Sequence, residues 1–187
     1  MKYPPWLLCV CLCACGEGNK DCDVVIDNLC VVFNGYPITT RDIEWEIREV
    51  ENRVDQRFKD KGKVSLINIF ASHSFTLTYV APGDEKLKGN RGLTYFNTSD
   101  QDESIYVAYW DYDGASDYAP GVLDRAACVY VTGHELLHVV AKYHLGATQK
   151  DNSAHNVPGL FIEDDTTVEW NTFVDTLEYY GVNPFQH

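Results

Sequence analysis

Between Val122 and Tyr143 the chain holds one long run with helical spacing, and its apolar stretch Ala126–Val131 leads into His134-Glu135-Leu136-Leu137-His138. Residues i and i+4 of a helix share a face, so the two imidazoles stand one turn apart on the same side. Two neutral imidazoles so placed can hold one Zn²⁺, and Glu135 beside the first is placed to take a proton from water at that metal. The run fixes one long helix with a site upon it, and every other element has to be arranged around the two.

The remaining punctuation describes an α+β chain. Val24 to Phe33 is a β-branched apolar run read as a strand, closed by Asn34-Gly35-Tyr36-Pro37. Thr39 with Asp42 three residues on is an N-cap signature, Ile38 and Ile43 sit at staple positions, and Gly62 supplies the stop. Between them Ile43, Ile47, Val50, Val54 and Phe58 make one apolar stripe, with Glu49/Arg53 paired at i,i+4, which predicts a long amphipathic helix packed on a sheet. Val64–Ala71, Phe75–Val80, Leu93–Phe96 and Ser104–Trp110 read as further strands. Asp165 to Tyr180 reads as a last helix with Thr166 and Glu169 in a capping box. The expected architecture is a mixed sheet, with parallel and antiparallel neighbours, carrying a long backing helix, an active-site helix and a C-terminal helix. At 187 residues and 45% apolar, the chain is one domain's length and too apolar to be disordered.

Met1-Lys2 followed by the apolar run Trp6–Ala14 reads as a signal peptide over 1–14, too short to span a bilayer. Leu12-Cys13-Ala14-Cys15 resembles a bacterial lipobox, which implies a lipidated Cys15, a tether over 15–23 and a domain over 24–187 outside the cytoplasm, lipid-anchored or secreted. Contact with a membrane is then expected only through that anchor. Cys22, Cys30 and Cys128 meet an oxidising environment, where either Cys22–Cys30 or Cys30–Cys128 can pair. The formal charge is −13, and beyond Asp100 the only bases are Arg125, Lys142 and Lys150. Such a surface excludes nucleic acid as a partner, because that affinity rests on Lys and Arg displacing counterions.

With His144, the residues His134, Glu135, His138 and His144 form an HExxHxxxxxH run similar to the ligand run of the metzincin zinc endopeptidases. The resemblance implies a zincin-like fold, Zn²⁺ held by His134, His138 and His144, and Glu135 as general base in peptide-bond hydrolysis. Along an unbroken helix, however, ten residues advance about 15 Å and end about 80° off the starting face, so His144 reaches the metal only if the helix breaks before it. The metzincin pattern has Gly where this chain has Ala141, and the only methionine, Met1, cannot form that clan's methionine turn. Next in order as third ligand come Glu163 or a neighbouring acid, Asp164 or Asp165, and then His155.

Three features remain. Ser104–Trp110 alternates as a sheet-edge strand beside the site would, although an internal core strand fits equally. Asp111, Asp113 and Asp117 around Gly114 look like half of a calcium loop, the alternative being a polar turn. Tyr143, Tyr179, Tyr180 and His155 are the downstream donors available to stabilise an oxyanion. The expectation is a monomeric zinc-dependent endopeptidase acting on protein or peptide substrates. Its alternatives are a zincin with an acidic third ligand and a non-catalytic zinc-binding lipoprotein.

Overall fold

The computed structural model describes residues 21–96, 103–110, 121–161 and 163–183. The expected signal segment over 1–14, the expected lipidation at Cys15 and the expected calcium half-loop Asp111–Asp117 therefore lie outside the described residues. Five strands form one mixed sheet in the order β1 (Val24–Ile26), β2 (Leu29–Val32), β3 (Phe75–Val80), β5 (Glu103–Ala108), β4 (Gly92–Tyr95). The two outer pairs are antiparallel and the two inner pairs, β2 with β3 and β3 with β5, are parallel. The helices are α1 (Thr40–Arg57), α2 (Leu66–Ser72), α3 (Val122–Tyr143), α4 (Gln149–Ser153) and α5 (Val168–Tyr179). None of them is long and apolar enough to cross a membrane.

Two sequence expectations change and one open choice is decided. The apolar run expected as one strand is a hairpin, because Asp27 (φ 48°) and Asn28 (φ 70°) both take the left-handed conformation that a two-residue turn demands. Short polar side chains tolerate that conformation better than others do. The hairpin places Cys22 beside Cys30, which are disulfide-bonded, while Cys128 is free and buried in the core. The second change is Val64–Ala71, which is not a strand: Ser65 caps α2 by accepting from Asn68 N–H, and Leu66 and Phe70, one turn apart, face inward. A short apolar run fits both periods, and the cap decides it. The open choice is Ser104–Trp110, which supplies the internal strand β5, so the sheet's edge beside α3 is β4.

The long elements form where the sequence puts them. Thr39 and Asp42 make a reciprocal capping box at the start of α1, Ile43, Ile47, Val50 and Val54 are buried, and Glu49 pairs with Arg53 at 2.9 Å. These α1 residues share one core with Leu77 and Tyr79 of β3, Ile105 and Val107 of β5, and Val129, Leu136, Leu137 and Val140 of α3. Tyr79 Oη lies 3.0 Å from Thr132 Oγ1, tying the central strand to α3. A smaller cluster on the sheet's other face joins Val80, Leu87 and Ala108 with the half-buried Tyr106 and Trp110.

One acid lies inside this core. Glu46 of α1 is fully buried, and its Oε1 packs so closely on Gly133 of α3 that a Cβ there would collide with it. The Thr176 hydroxyl lies 2.7 Å from Thr172 O and 3.1 Å from Glu46 Oε2. The hydroxyl proton is shared between these two acceptors, so Thr176 donates to Oε2 and partly opposes the burial that keeps Glu46 itself protonated. Burial, only partly offset by Thr176, holds the Glu46 pKa well above the usual carboxylate range. The unfolded chain therefore loses this proton near pH 4.3, well before the native state does, and stability falls as pH rises from there. Glu46→Gln is expected to raise stability in urea unfolding by about 1 kcal/mol or more at pH 7, with the gain disappearing below about pH 4.

Candidate metal centre

α3 is unbroken through Ala141 and ends at Tyr143, with His144 as its C-cap still in the right-handed region. The chain reverses only at Gly146 (φ 69°), where Leu145 N–H donates to Val140 O and Ala147 N–H to Ala141 O. The stop comes after His144 rather than before it, so that ring is carried along the helix and off the ligand face. The structure does not bring His144 to the pair; its Nε2 is buried and unpartnered elsewhere. Glu163, Asp164 and Asp165 are exposed, and Asp164 is occupied by the Thr166 N–H and hydroxyl.

The ring that does arrive is His155. After Gly146 the chain turns back through α4, and His155 follows with φ 54°, a left-handed conformation uncommon for a side chain of this size. It is held there by its own N–H to Asn152 O and by Asn156 N–H to Asp151 O. One ligand atom from each of His134, His138 and His155 lies within 4.8 Å of the others. His155 Nε2 is 3.3 Å from His138 Nε2. Two nitrogens each 2.0–2.1 Å from one tetrahedral metal stand roughly 3.3–3.4 Å apart, so this spacing fits shared coordination. Three imidazoles and an opening to solvent are a chemically sound donor set for a metal ion.

The far side of each helix-borne ring is tied down. His138 Nδ1 lies 2.7 Å from Asn152 Oδ1, and Asn152 Nδ2 donates to His138 O at 2.9 Å, which fixes the amide so that Oδ1 is the acceptor. Nδ1 of His138 must then carry the proton, leaving Nε2 with its lone pair toward the cluster. His134 Nδ1 is 2.6 Å from Glu169 Oε1, which also accepts from Tyr130 Oη at 2.8 Å. Sequence reasoning assigned Glu169 to a helix cap. Thr167 is the cap, accepting from Trp170 N–H, and this frees Glu169, buried in the first turn of α5, to reach His134.

Burial lowers the His138 pKa to about 4 and also depresses His155, so both are neutral near pH 7. Burial acts the same way on His134, but the Glu169 hydrogen bond and the nearby carboxylate charges outweigh it and raise that pKa. Glu135 is almost fully buried against β4. Burial pushes its carboxyl up to about 7, against the pull of His134 and of the Thr94 hydroxyl, which donates to Oε2 at 2.6 Å. Gly92, two residues earlier on the same strand face, leaves room for Oε1 where it stands: a Cβ there would collide with it. An acid with a pKa near neutrality, buried beside a cluster of three imidazoles that could hold a metal ion, is poised for general acid–base work.

These groups line a cavity of about 410 Å³ whose walls are Arg91, Gly92 and Thr94 from the β4 side, α3, and Asn152 and Ser153 of α4. Tyr143 is not part of it, since its hydroxyl goes to Glu103; Tyr179 stacks on Trp45. Tyr180 stacks under the Arg125 guanidinium and does not line the cavity either. No family model matches the chain, and no curated protein or solved structure matches it.

In dialysed protein assayed for bound zinc, His155→Ala is expected to lose the metal and His144→Ala to keep it. Glu169→Ala is expected to weaken zinc affinity by about 10–100-fold while leaving the ligand set intact.

Proposed function

We propose that the chain is a zinc-dependent endopeptidase of zincin type, with His134, His138 and His155 as ligands and Glu135 as general base. Three imidazoles favour zinc over the hard cations, which prefer oxygen. The observation that carries the reading is Glu135: a site that only stores metal has no use for a carboxylate of near-neutral pKa held by Thr94 beside the ligands. The zincin-like architecture and the place of this chain among such enzymes are part of the same proposal.

When bound, zinc supplies a Lewis acid that polarises the scissile carbonyl and makes water nucleophilic near pH 7. Glu135 Oε1 takes the proton from water as its oxygen bonds to the carbonyl carbon. It then delivers that proton to the amide nitrogen as the C–N bond breaks, leaving one carboxylic acid and one amine, which leave at neutral pH as carboxylate and ammonium. Thr94 holds the other oxygen of the same carboxyl, so one proton-carrying atom faces the cavity. Among the described residues β4 ends the sheet, and in this reading its outer edge pairs with an extended substrate running past Glu135. Asn152 and Glu169 keep the ligand rings in register throughout.

The Cys22–Cys30 disulfide supports an extracytoplasmic location, which we propose together with the lipid anchor at Cys15. Zinc-loaded protein is expected to hydrolyse casein, and Glu135→Gln to keep its zinc while losing activity by about 10²–10⁴-fold. Zinc-loaded wild type that cleaves no peptide, or a Glu135→Gln variant of full activity, would contradict the proposal.

A further inference from the structure

The cavity holds one cation that nothing above uses. Among the described residues, its two carboxylates are engaged: Glu135 with Thr94, and Glu169 with His134 and Tyr130. Arg91 also lines it and has no ion pair among the described residues, whereas Arg53 holds Glu49 and Asp175, Arg125 holds Asp42, and Lys142 holds Glu103. Arg41, Arg48 and Arg57 likewise have no ion pair among the described residues, and what sets Arg91 apart is that it is the one Lys or Arg in the wall of the site.

Its position is set on both sides. Ala108 N–H donates to Arg91 O at 2.8 Å, pinning the backbone at the entry to β4, and the guanidinium lies over the Trp110 ring at 5.7 Å. Stacking of this kind orients the planar group and leaves its N–H donors free. The next residue, Gly92, is the one that leaves room for the Glu135 carboxyl. The Arg91 charge is also felt inside the cavity: burial and Glu169 raise the Tyr130 hydroxyl, and Arg91 opposes them. Lys86 and Lys88, which stack over Tyr106 and Tyr95, do not line the cavity. A strand advances about 3.3 Å per residue, so the Arg91 backbone stands one residue from Gly92, which abuts the Glu135 carboxyl, while its side chain takes the alternate face toward Trp110 at the open edge of the sheet.

We infer that Arg91 determines specificity by binding a carboxylate of the peptide, an acidic side chain or its terminal carboxylate, within one or two residues of the scissile bond. The inference rests on the peptidase reading for its occupant, and the guanidinium fork matches a carboxylate in a way that no neutral group does.

The test measures binding, which needs no turnover. Amidated octapeptides carrying a single glutamate at successive positions are titrated into zinc-loaded Glu135→Gln protein. The all-glutamine octapeptide is titrated with a free and with an amidated C-terminus. At least one glutamate position, or the free C-terminus, is expected to bind about tenfold or more tightly than the all-glutamine amide. Adding Arg91→Met, with zinc content unchanged, should erase that gain, and Arg91→Lys should keep part of it. Whichever arm shows the gain identifies the source of the carboxylate. Carboxylate peptides that bind no better than the amide reference, or a gain that survives Arg91→Met, would overturn the inference. Failure of the peptidase reading shows separately, as absence of cleavage by the wild type while the Arg91-dependent gain persists.

Discussion

The hydrogen bonds on the far nitrogens of His134 and His138 are what turn a helix with two histidines into a site. A helix brings the rings to one face, but an imidazole has two nitrogens and a freely turning side chain. Glu169 from α5 and Asn152 from α4 each take the Nδ1 of one ring, so both present Nε2 to the same point. The packing of α5 and α4 on α3 is therefore part of what would let the three rings hold a metal ion. Asn152 does this twice, since its amide N–H₂ also holds the His138 carbonyl and its own backbone carbonyl accepts from His155 N–H. One buried asparagine thus sets the orientation of one ligand and the approach of another.

The opposite wall follows the same logic. β4 ends the sheet and meets α3 with two residues on one face, Gly92 and Thr94. The first makes room for the Glu135 carboxyl and the second holds it. Burial between strand and helix raises its pKa to about 7, which matches the group to proton transfer near neutral pH. On the far side of α3, Glu46 is buried against Gly133, immediately before His134. The ligand helix is thus flanked by two buried acids, one facing the cavity and one sealed in the core.

Much of this was legible because it is local. The α1 capping box needs only Thr39 and Asp42, the span of α3 needs only its periodicity, and His134, Glu135 and His138 need only each other. What lay beyond the sequence depends on where chain segments return. His144 is a neighbour of the motif in sequence, and the resemblance to metzincins favoured it; the warning was Ala141, which gives the helix no reason to stop early. With the stop deferred to Gly146, the third ring comes from the far side of a turn and takes a left-handed backbone to do so. Glu169 was misassigned for a related reason: its sequence position suits a cap, and only the packing of α5 on α3 shows where its side chain goes. The identity of the edge strand likewise turns on the order in which strands pair, which alternation within one strand does not encode.

The account stands or falls on which three rings share the metal. Crystals of the zinc-loaded protein, with diffraction recorded on either side of the zinc absorption edge, locate the ion directly. The account predicts a single anomalous peak about 2.0–2.1 Å from a ring nitrogen of each of His134, His138 and His155, with His144 remote from it. A peak ligated by His144 or by a carboxylate of Glu163, Asp164 or Asp165 in place of His155 would contradict it.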